Sequence, residues 1–423
     1  MIKLFHDVLP NGIECGVAEA AGRHVVSFQV RVLAGHVNEP VDRLGLARIV
    51  EGTIDKGTPK RSAQELSDAF DDIGAVRGAG SGRETTTFTC TVLPEHLDRA
   101  LELHAEMLRT PTLPSKAVEV NVELARQELT ALQDDPQGLV EKHITPRAYG
   151  PVLGRHPLGE PTTLNHITRS DVEQFWKAHY HNGRIVAVFA GPVGPNAAAD
   201  LLGRHFDGFG ERRAQGREAQ EFIFTPGRTH VIKALEQQQM AICWPGVDAT
   251  HLDFPVQQVA LGILSGGMSG RLFTEVREKR GLVYWVSAWQ DTPRGVGMMF
   301  LGASTTPDRC DETYATMLRE VDRLSEDIED DELRRAVTGL VAAHDTRGDS
   351  TRARCVEIGN DLFFFGRPIP LEEKVAKLEA VTINDVRRYL AEHRRDQLCV
   401  LTLGPRPLSA SGCVSPAAVE AAQ

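Results

Sequence analysis

The chain has 423 residues, which is too long for one compact core and suits two domains of roughly 200 residues each. Hydrophobic residues make up 41% and charged residues 25%, the balance of a soluble globular protein. With 47 Lys+Arg against 58 Asp+Glu the formal charge is −11, which argues against a general nucleic-acid binder and leans toward cationic or peptide-like partners.

No stretch approaches the roughly 18 to 20 uncharged apolar residues of a membrane span. The N-terminus lacks the longer apolar core of a secretory signal. The seven cysteines, at 15, 90, 243, 310, 355, 399 and 413, form no C-x-x-C pair and read as buried reduced thiols. These features predict a cytoplasmic protein without membrane or nucleic-acid partners.

In chain order, Val26, Phe28, Val30 and Val32 alternate with Ser27, Gln29 and Arg31, the period of a half-buried strand. Leu66, Phe70 and Ile73 share a helical face. Thr86, Phe88, Cys90 and Val92 line one side of a second strand. Pro94 opens a helical run through Leu97, Leu101, His104 and Leu108. Ser115 starts a longer helix past Val122, Ala125, Leu129 and Leu132, ending at Asp134-Asp135-Pro136.

Ile167 to His179 then resembles Val381 to His393, half the chain further on. In both, a Thr is followed three residues later by an acid (Thr168/Asp171 and Thr382/Asp385), a capping box for the first free amides of a helix. Each helix leads into a β-branched strand ending Gly-Pro, Ile185 to Pro192 and Leu398 to Pro405. A shared offset for cap, helix, strand and terminal dipeptide predicts a tandem duplication. The expected fold is α+β: two homologous domains, each a mainly antiparallel sheet with helices packed on one face. The polar, glycine-bearing stretch from Asp207 to Arg228 marks the boundary, giving domains at 1–210 and 229–405, a linker at 211–228 and a flexible tail at 406–423.

Few motifs carry chemistry. There is no phosphate-binding glycine loop and no G-x-S-x-G; Ser265 to Gly270 and Gly78 to Gly82 read as turns. Among 15 histidines none falls in H-E-x-x-H or H-x-x-E-H, and His179 and His181 read as capping or surface residues at a helix end.

One segment changes this. Gly45-Leu-Ala-Arg-Ile-Val-Glu-Gly-Thr-Ile-Asp-Lys-Gly-Thr58 resembles the signature of the pitrilysin/insulinase zinc peptidases, family M16, which also includes the mitochondrial processing peptidases. In that family a helix carries H-x-x-E-H. The two histidines share one face and bind zinc, the glutamate acts as general base, and a further glutamate downstream is the third ligand. Here Arg48 stands at the first histidine and Gly52 at the second. Glu51 keeps the general-base position, and Glu128, just before Asp134-Asp135-Pro136, matches the third ligand. Arginine offers no lone pair and glycine no side chain, so the set does not hold zinc. The resemblance implies Arg48 lying between Glu51 and Glu128, neutralising two carboxylates that would otherwise repel.

The order of Ser62-Ala63, Gly74-Ala75, Arg83-Glu84-x-Thr86 and His156-Pro-Leu-Gly159 also resembles the family, although the asparagine usual near Gly78 is missing. In the second half, Ser269 to Tyr284 is similar to the family's second signature, an Arg and a Tyr seven residues apart. By resemblance Arg277 holds a substrate carbonyl and Tyr284 the oxyanion at the scissile carbon, across a closed chamber from the zinc site. The implied fold is that of the LuxS/MPP-like metallohydrolases.

What this implies is a non-catalytic subunit of a heterodimeric zinc peptidase. It is inactive alone and pairs with an H-x-x-E-H subunit that holds the zinc and acts on a peptide or unfolded polypeptide. Two alternatives stand beside it: a peptidase-derived structural or binding core subunit, and an active homodimeric peptidase using other ligands such as His104 or His143.

Overall fold

The computed structural model describes residues 2–409. The chain forms two compact units. Among the described residues, the first comprises 2–131, 155–219 and 345–370, and the second 132–154, 220–344 and 371–409.

The first unit is built on a six-stranded sheet: β1 (Lys3–Val8), β2 (Glu14–Glu19), β3 (Val26–Val32), β4 (Val76–Ser81), β5 (Thr86–Val92) and β6 (Ile185–Gly191), ordered β1-β2-β6-β3-β5-β4. The second holds β7 (Gly227–Ile232), β8 (Gln238–Gly246), β9 (Val283–Asp291), β10 (Gly297–Thr305) and β11 (Cys399–Gly404), ordered β7-β11-β8-β10-β9. Apart from the extra β1, the two orders correspond strand for strand. Each sheet has one parallel pair, β2 with β6 and β7 with β11, and is otherwise antiparallel. Both predicted capping boxes form: Thr168 Oγ1 accepts from the Asp171 amide at 3.3 Å, and Thr382 Oγ1 from the Asp385 amide at 3.2 Å. Gly191 and Gly404 close the equivalent strands at φ 136° and 155°, conformations that side-chain-bearing residues avoid.

The inner positions of β3 pack as the alternation predicts, with Phe28 edge-on to His104 of the helix Leu97–Arg109. The alternate positions differ from expectation. Ser27, Gln29 and Arg31, read as the wet side of a half-buried strand, are 1%, 0% and 7% exposed. The helix Thr351–Phe365 covers them. Ser27 Oγ pairs with Thr351 Oγ1 at 2.8 Å, and the Arg31 guanidinium donates to the Gly359 carbonyl at 2.9 Å and to Asn360 Oδ1 at 2.8 Å. Cys355, Ile358, Leu362 and Phe363 of the same helix form an apolar cluster with Ala18, Leu33, Val186, Val188 and Ala190. Buried side chains of the size of Ile358, Leu362 and Phe363 contribute about 1.5–3 kcal/mol each. The first sheet is therefore helix-covered on both faces.

The helix Pro136–Leu153 holds the corresponding place in the first repeat, yet it belongs to the second unit, where Tyr149 is fully buried and donates to Asp291 Oδ2 at 2.6 Å. The two repeats have exchanged equivalent helices. A single cut at 211–228 thus places both of these helices in the wrong unit, because local periodicity reports an apolar face without reporting which sheet it will cover. Asp134-Asp135-Pro136 joins two helices: Asp135 caps the second through the Gln137 amide at 3.1 Å, and Pro136 occupies its first turn. In the expected tail, Arg406 donates to the Pro307 carbonyl and Ser409 to Asp311, while residues 410–423 lie outside those described. No described helix is long and apolar enough to cross a membrane.

Residues 1–219 expressed alone lack the cover for Val186 and Val188 and are expected to bind a hydrophobic dye and melt without a cooperative transition. Appending residues 345–370 through a flexible linker should lower dye binding and restore the transition, with residual binding from the helix Pro136–Leu153, whose own cover lies in the second unit; dye binding unchanged by the appended helix would show that it does not supply the missing face.

Candidate functional site

The helix Leu46–Thr53 starts at Gly45, whose φ of 97° suits glycine. Its first free amides are met by Glu39, which accepts from Gly45 N at 2.9 Å and Ala47 N at 2.8 Å. Burial pushes the Glu39 carboxyl up to about 8. The His156-Pro-Leu-Gly159 motif has a steric role at this helix start: a Cβ on Gly159 would lie 2.1 Å from the Leu44 carbonyl oxygen. Leu46, Ala47, Ile49 and Val50 face the core, which turns Arg48, Glu51 and Gly52 toward the helix Ser115–Ala131.

Arg48 occupies the space between the acids. One guanidinium nitrogen lies 2.7 Å from Glu128 Oε1 and another 3.4 Å from Glu51 Oε2. Burial raises the Glu51 carboxyl above the usual carboxylate range, and Arg48 opposes that shift. At Gly52 the space is taken by Asn121, seven residues before Glu128 and so on the same helical face. Asn121 Nδ2 donates to the Gly52 carbonyl at 3.0 Å, and a Cβ on Gly52 would stand 2.2 Å from Asn121 Oδ1. Arg48 thus closes the site electrostatically, and Asn121 covers Gly52 with a side chain that any larger residue there would have to displace. Sequence reasoning missed Asn121, although its spacing from Glu128 was a readable signal.

A divalent zinc at this place needs nitrogen donors that the residues present do not supply. Among the described residues no group of three His, Cys, Asp or Glu ligand atoms gathers around Glu51 and Glu128. His104 lines the same cavity as Glu51 but is in no such group. It is 1% exposed, its Nδ1 is bonded to the Ala100 carbonyl at 2.8 Å, and its ring is edge-on to both Phe28 and Phe70 at 4.9 Å. His143 lies on the helix Pro136–Leu153 of the second unit. His181, expected at the surface or as a cap, is buried, with Nδ1 3.2 Å from the Glu211 carbonyl; His179 is edge-on to Phe175. Beside the site, a cavity of about 370 Å³ is lined by Glu51, Gly52, Lys56, Arg77 and the free edge strand β4 at Gly78 and Ala79.

In the second unit, residues Phe273–Glu278 form a π-helical turn, in which the Lys279 amide donates back to the Thr274 carbonyl at 2.9 Å. Gly281, at φ 59°, then turns the chain into β9. This geometry sets the Arg277 guanidinium against two aromatic faces, 4.8 Å from the Phe273 ring centre and 5.0 Å from that of Tyr284. Neighbouring Lys279 and Arg280 are both tied to Glu275, at 2.6 and 2.7 Å. No carboxylate lies within ion-pair distance of Arg277 among the described residues, so its donors remain available. Tyr284 is 77% exposed on the edge strand β9. Arg277 and Tyr284 thus lie against one another, with Phe273 as a third member that the sequence reading did not single out.

Comparison with known proteins matches two successive stretches of the chain. Residues 17–161 match the family model described as insulinase (peptidase family M16), and residues 166–340 match that described as peptidase M16 inactive domain. An uncharacterized zinc protease of Rickettsia felis is 27% identical over 364 residues, 85% of this chain and 88% of that protein. A probable mitochondrial-processing peptidase subunit beta of Arabidopsis thaliana is 25% identical over 412 residues, 94% of this chain and 77% of that protein. A crystal structure of a peptidase M16 inactive domain from Pseudomonas fluorescens superposes with a TM-score of 0.86 at 19% identity, covering 96% of this chain and 99% of that one. A protease from Helicobacter pylori gives 0.85 at 18%, covering 95% and 100%.

The contact predicts that Arg48→His with Gly52→His binds zinc more weakly than the same pair combined with Asn121→Ala, because the new imidazole must first displace the Asn121 amide. Competition with a chelator followed by elemental analysis ranks the two variants; equal affinity in both would refute the steric half of this account. His104 gives a second expectation. Burial holds it down at about 4, so unfolding takes up a proton between pH 6.5 and 4. Stability from its neutral burial is complete above pH 6.5 and is lost as pH falls toward 4, by about 2 kcal/mol between pH 7 and 5. Urea unfolding of His104→Phe should show a correspondingly shallower pH slope than the parent.

Proposed function

Because the chain belongs to the M16 peptidase family, we propose that it is the non-catalytic subunit of a two-chain zinc metallopeptidase. Its role is to present Arg277 and Tyr284 to the active site of a partner carrying an intact H-x-x-E-H. The observation that carries this reading is an asymmetry between the two units. The position of the metal centre is filled by Arg48 and Asn121, whereas Arg277 is left without a carboxylate and is held beside Tyr284.

The chemistry suits that division. Zinc held by the partner would supply a Lewis acid for the scissile carbonyl and for the attacking water. A guanidinium and a phenol are both donors aimed at oxygen, and donors fixed before the reaction stabilise the developing oxyanion without reorganising. Stacking between Phe273 and Tyr284 fixes the Arg277 plane without neutralising its charge. The substrate is a peptide or an unfolded polypeptide. The catalytic zinc belongs to the partner, since the residues around Glu51 and Glu128 in this chain supply no nitrogen donor for it. Relatives described as zinc proteases and as a processing-peptidase subunit support the class of reaction and the pairing of chains.

Alone, the protein is expected to hydrolyse no peptide. Mixed with an H-x-x-E-H subunit it should restore cleavage of a fluorogenic peptide. In that mixture Tyr284→Phe and Arg277→Ala should each lower kcat about 10²–10³-fold, the cost of removing one oxyanion donor. Full activity of both variants in the mixture would assign this chain a scaffold role instead.

A further inference from the structure

The described residues hold one other convergence of metal-binding side chains, and it lies wholly within the second unit. We propose that His251, Asp253 and His393 form a site for a divalent transition metal of the zinc type, joining the loop before the helix Phe254–Ser265 to the end of the helix Ile383–Glu392. One ligand atom from each of the three lies within 4.8 Å of the others. In a tetrahedral site, metal–donor distances near 2.0–2.2 Å set the donors about 3.3–3.5 Å apart, so closing the set takes side-chain rotations of roughly 1 Å.

The three donors already face one another. His251 Nδ1 accepts the Asp253 amide hydrogen at 3.1 Å, which keeps that nitrogen unprotonated and turned toward Asp253. A cation takes over this lone pair in place of the amide. His393 Nε2 stands 3.6 Å from Asp253 Oδ2. The two imidazoles meet edge to face at 5.5 Å, and the His393 ring also rests on Tyr389 at 4.9 Å, which limits its rotation. Asp253 is buried, and Arg388 grips it through two nitrogens, at 2.6 Å to Oδ1 and 3.1 Å to Oδ2. That grip orients the carboxylate as an outer-shell partner does, and the oxygen facing His393 retains a second lone pair.

Arg388 does not cancel the site's attraction for a cation. It also faces Glu392 at 3.0 Å and Asp385 at 3.9 Å, so one guanidinium serves three carboxylates and the neighbourhood keeps negative charge. His251 and His393 both border a groove of about 270 Å³ with Phe222, Gly246 and Gly295, which leaves the fourth coordination position open to water or an incoming ligand. This site draws nothing from Arg277, Tyr284 or the subunit role proposed above.

The test uses the full chain freed of metal with a chelator and titrated with Zn²⁺ by calorimetry. One ion should bind per chain, and Co²⁺ in its place should give visible absorption bands of four- or five-coordinate geometry. His251→Ala and His393→Ala should each weaken Zn²⁺ binding by more than about 100-fold, beyond the loss expected from an outer-shell change. Exposed His166→Ala should bind as the parent does. Zn²⁺ should raise the melting temperature of the parent and of His166→Ala, and leave that of the two other variants where it stands without metal. Because the substituted imidazoles are at least partly exposed, metal-free melting curves matching the parent's will show that the variants fold. No measurable Zn²⁺ binding, or unchanged binding in the combined His251→Ala, His393→Ala variant, would overturn the proposal.

Discussion

A β-sheet between two helical layers must have both faces covered, and in this chain the second cover comes from far along the sequence. The helix Thr351–Phe365 closes the first sheet by burying Ile358 and Leu362 on Val186 and Val188, and by satisfying Ser27 and Arg31. The polar side of β3 is therefore an internal surface with built-in hydrogen-bond partners. A buried guanidinium is tolerated there only because the Gly359 carbonyl and the Asn360 side chain meet it and the Phe363 ring lies over it. With β3 fixed on both sides, its neighbours hold the helix Leu46–Thr53 and the edge strand β4 in register.

The duplication explains why the exchange is reciprocal. Both repeats carry the same strand order and the same capping box, and both give up the equivalent helix to the other unit. The chemistry of the repeats has separated, however. One uses a helix to hold two carboxylates around an arginine; the other uses a π-helical turn to hold an arginine among aromatic rings. In both, the guanidinium is the organising group, neutralised in the first and left with free donors in the second.

Much of this was legible in the sequence because it is local. The Thr168/Asp171 and Thr382/Asp385 caps, the alternation of β3 and β5, and the seven-residue spacing of Arg277 and Tyr284 each depend on residues close along the chain. The family resemblance added the pairing of Glu51 with Glu128, which no spacing rule alone supplies. What stayed hidden was non-local. Ser27, Gln29 and Arg31 alternate as a solvent-facing set would, and only the covering helix makes them internal. The grouping of His251 and Asp253 with His393, which lies far along the chain from both, carries no periodic signal. Asn121 falls between these cases, since its helical face was predictable and its contact with Gly52 was not.

That contact bears on how such a protein can change over time. Any side chain at position 52 meets Asn121 Oδ1, and any loss of Arg48 leaves Glu51 and Glu128 facing each other. Placing metal ligands into this arrangement would therefore take linked changes at positions 48, 52 and 121 rather than any single one.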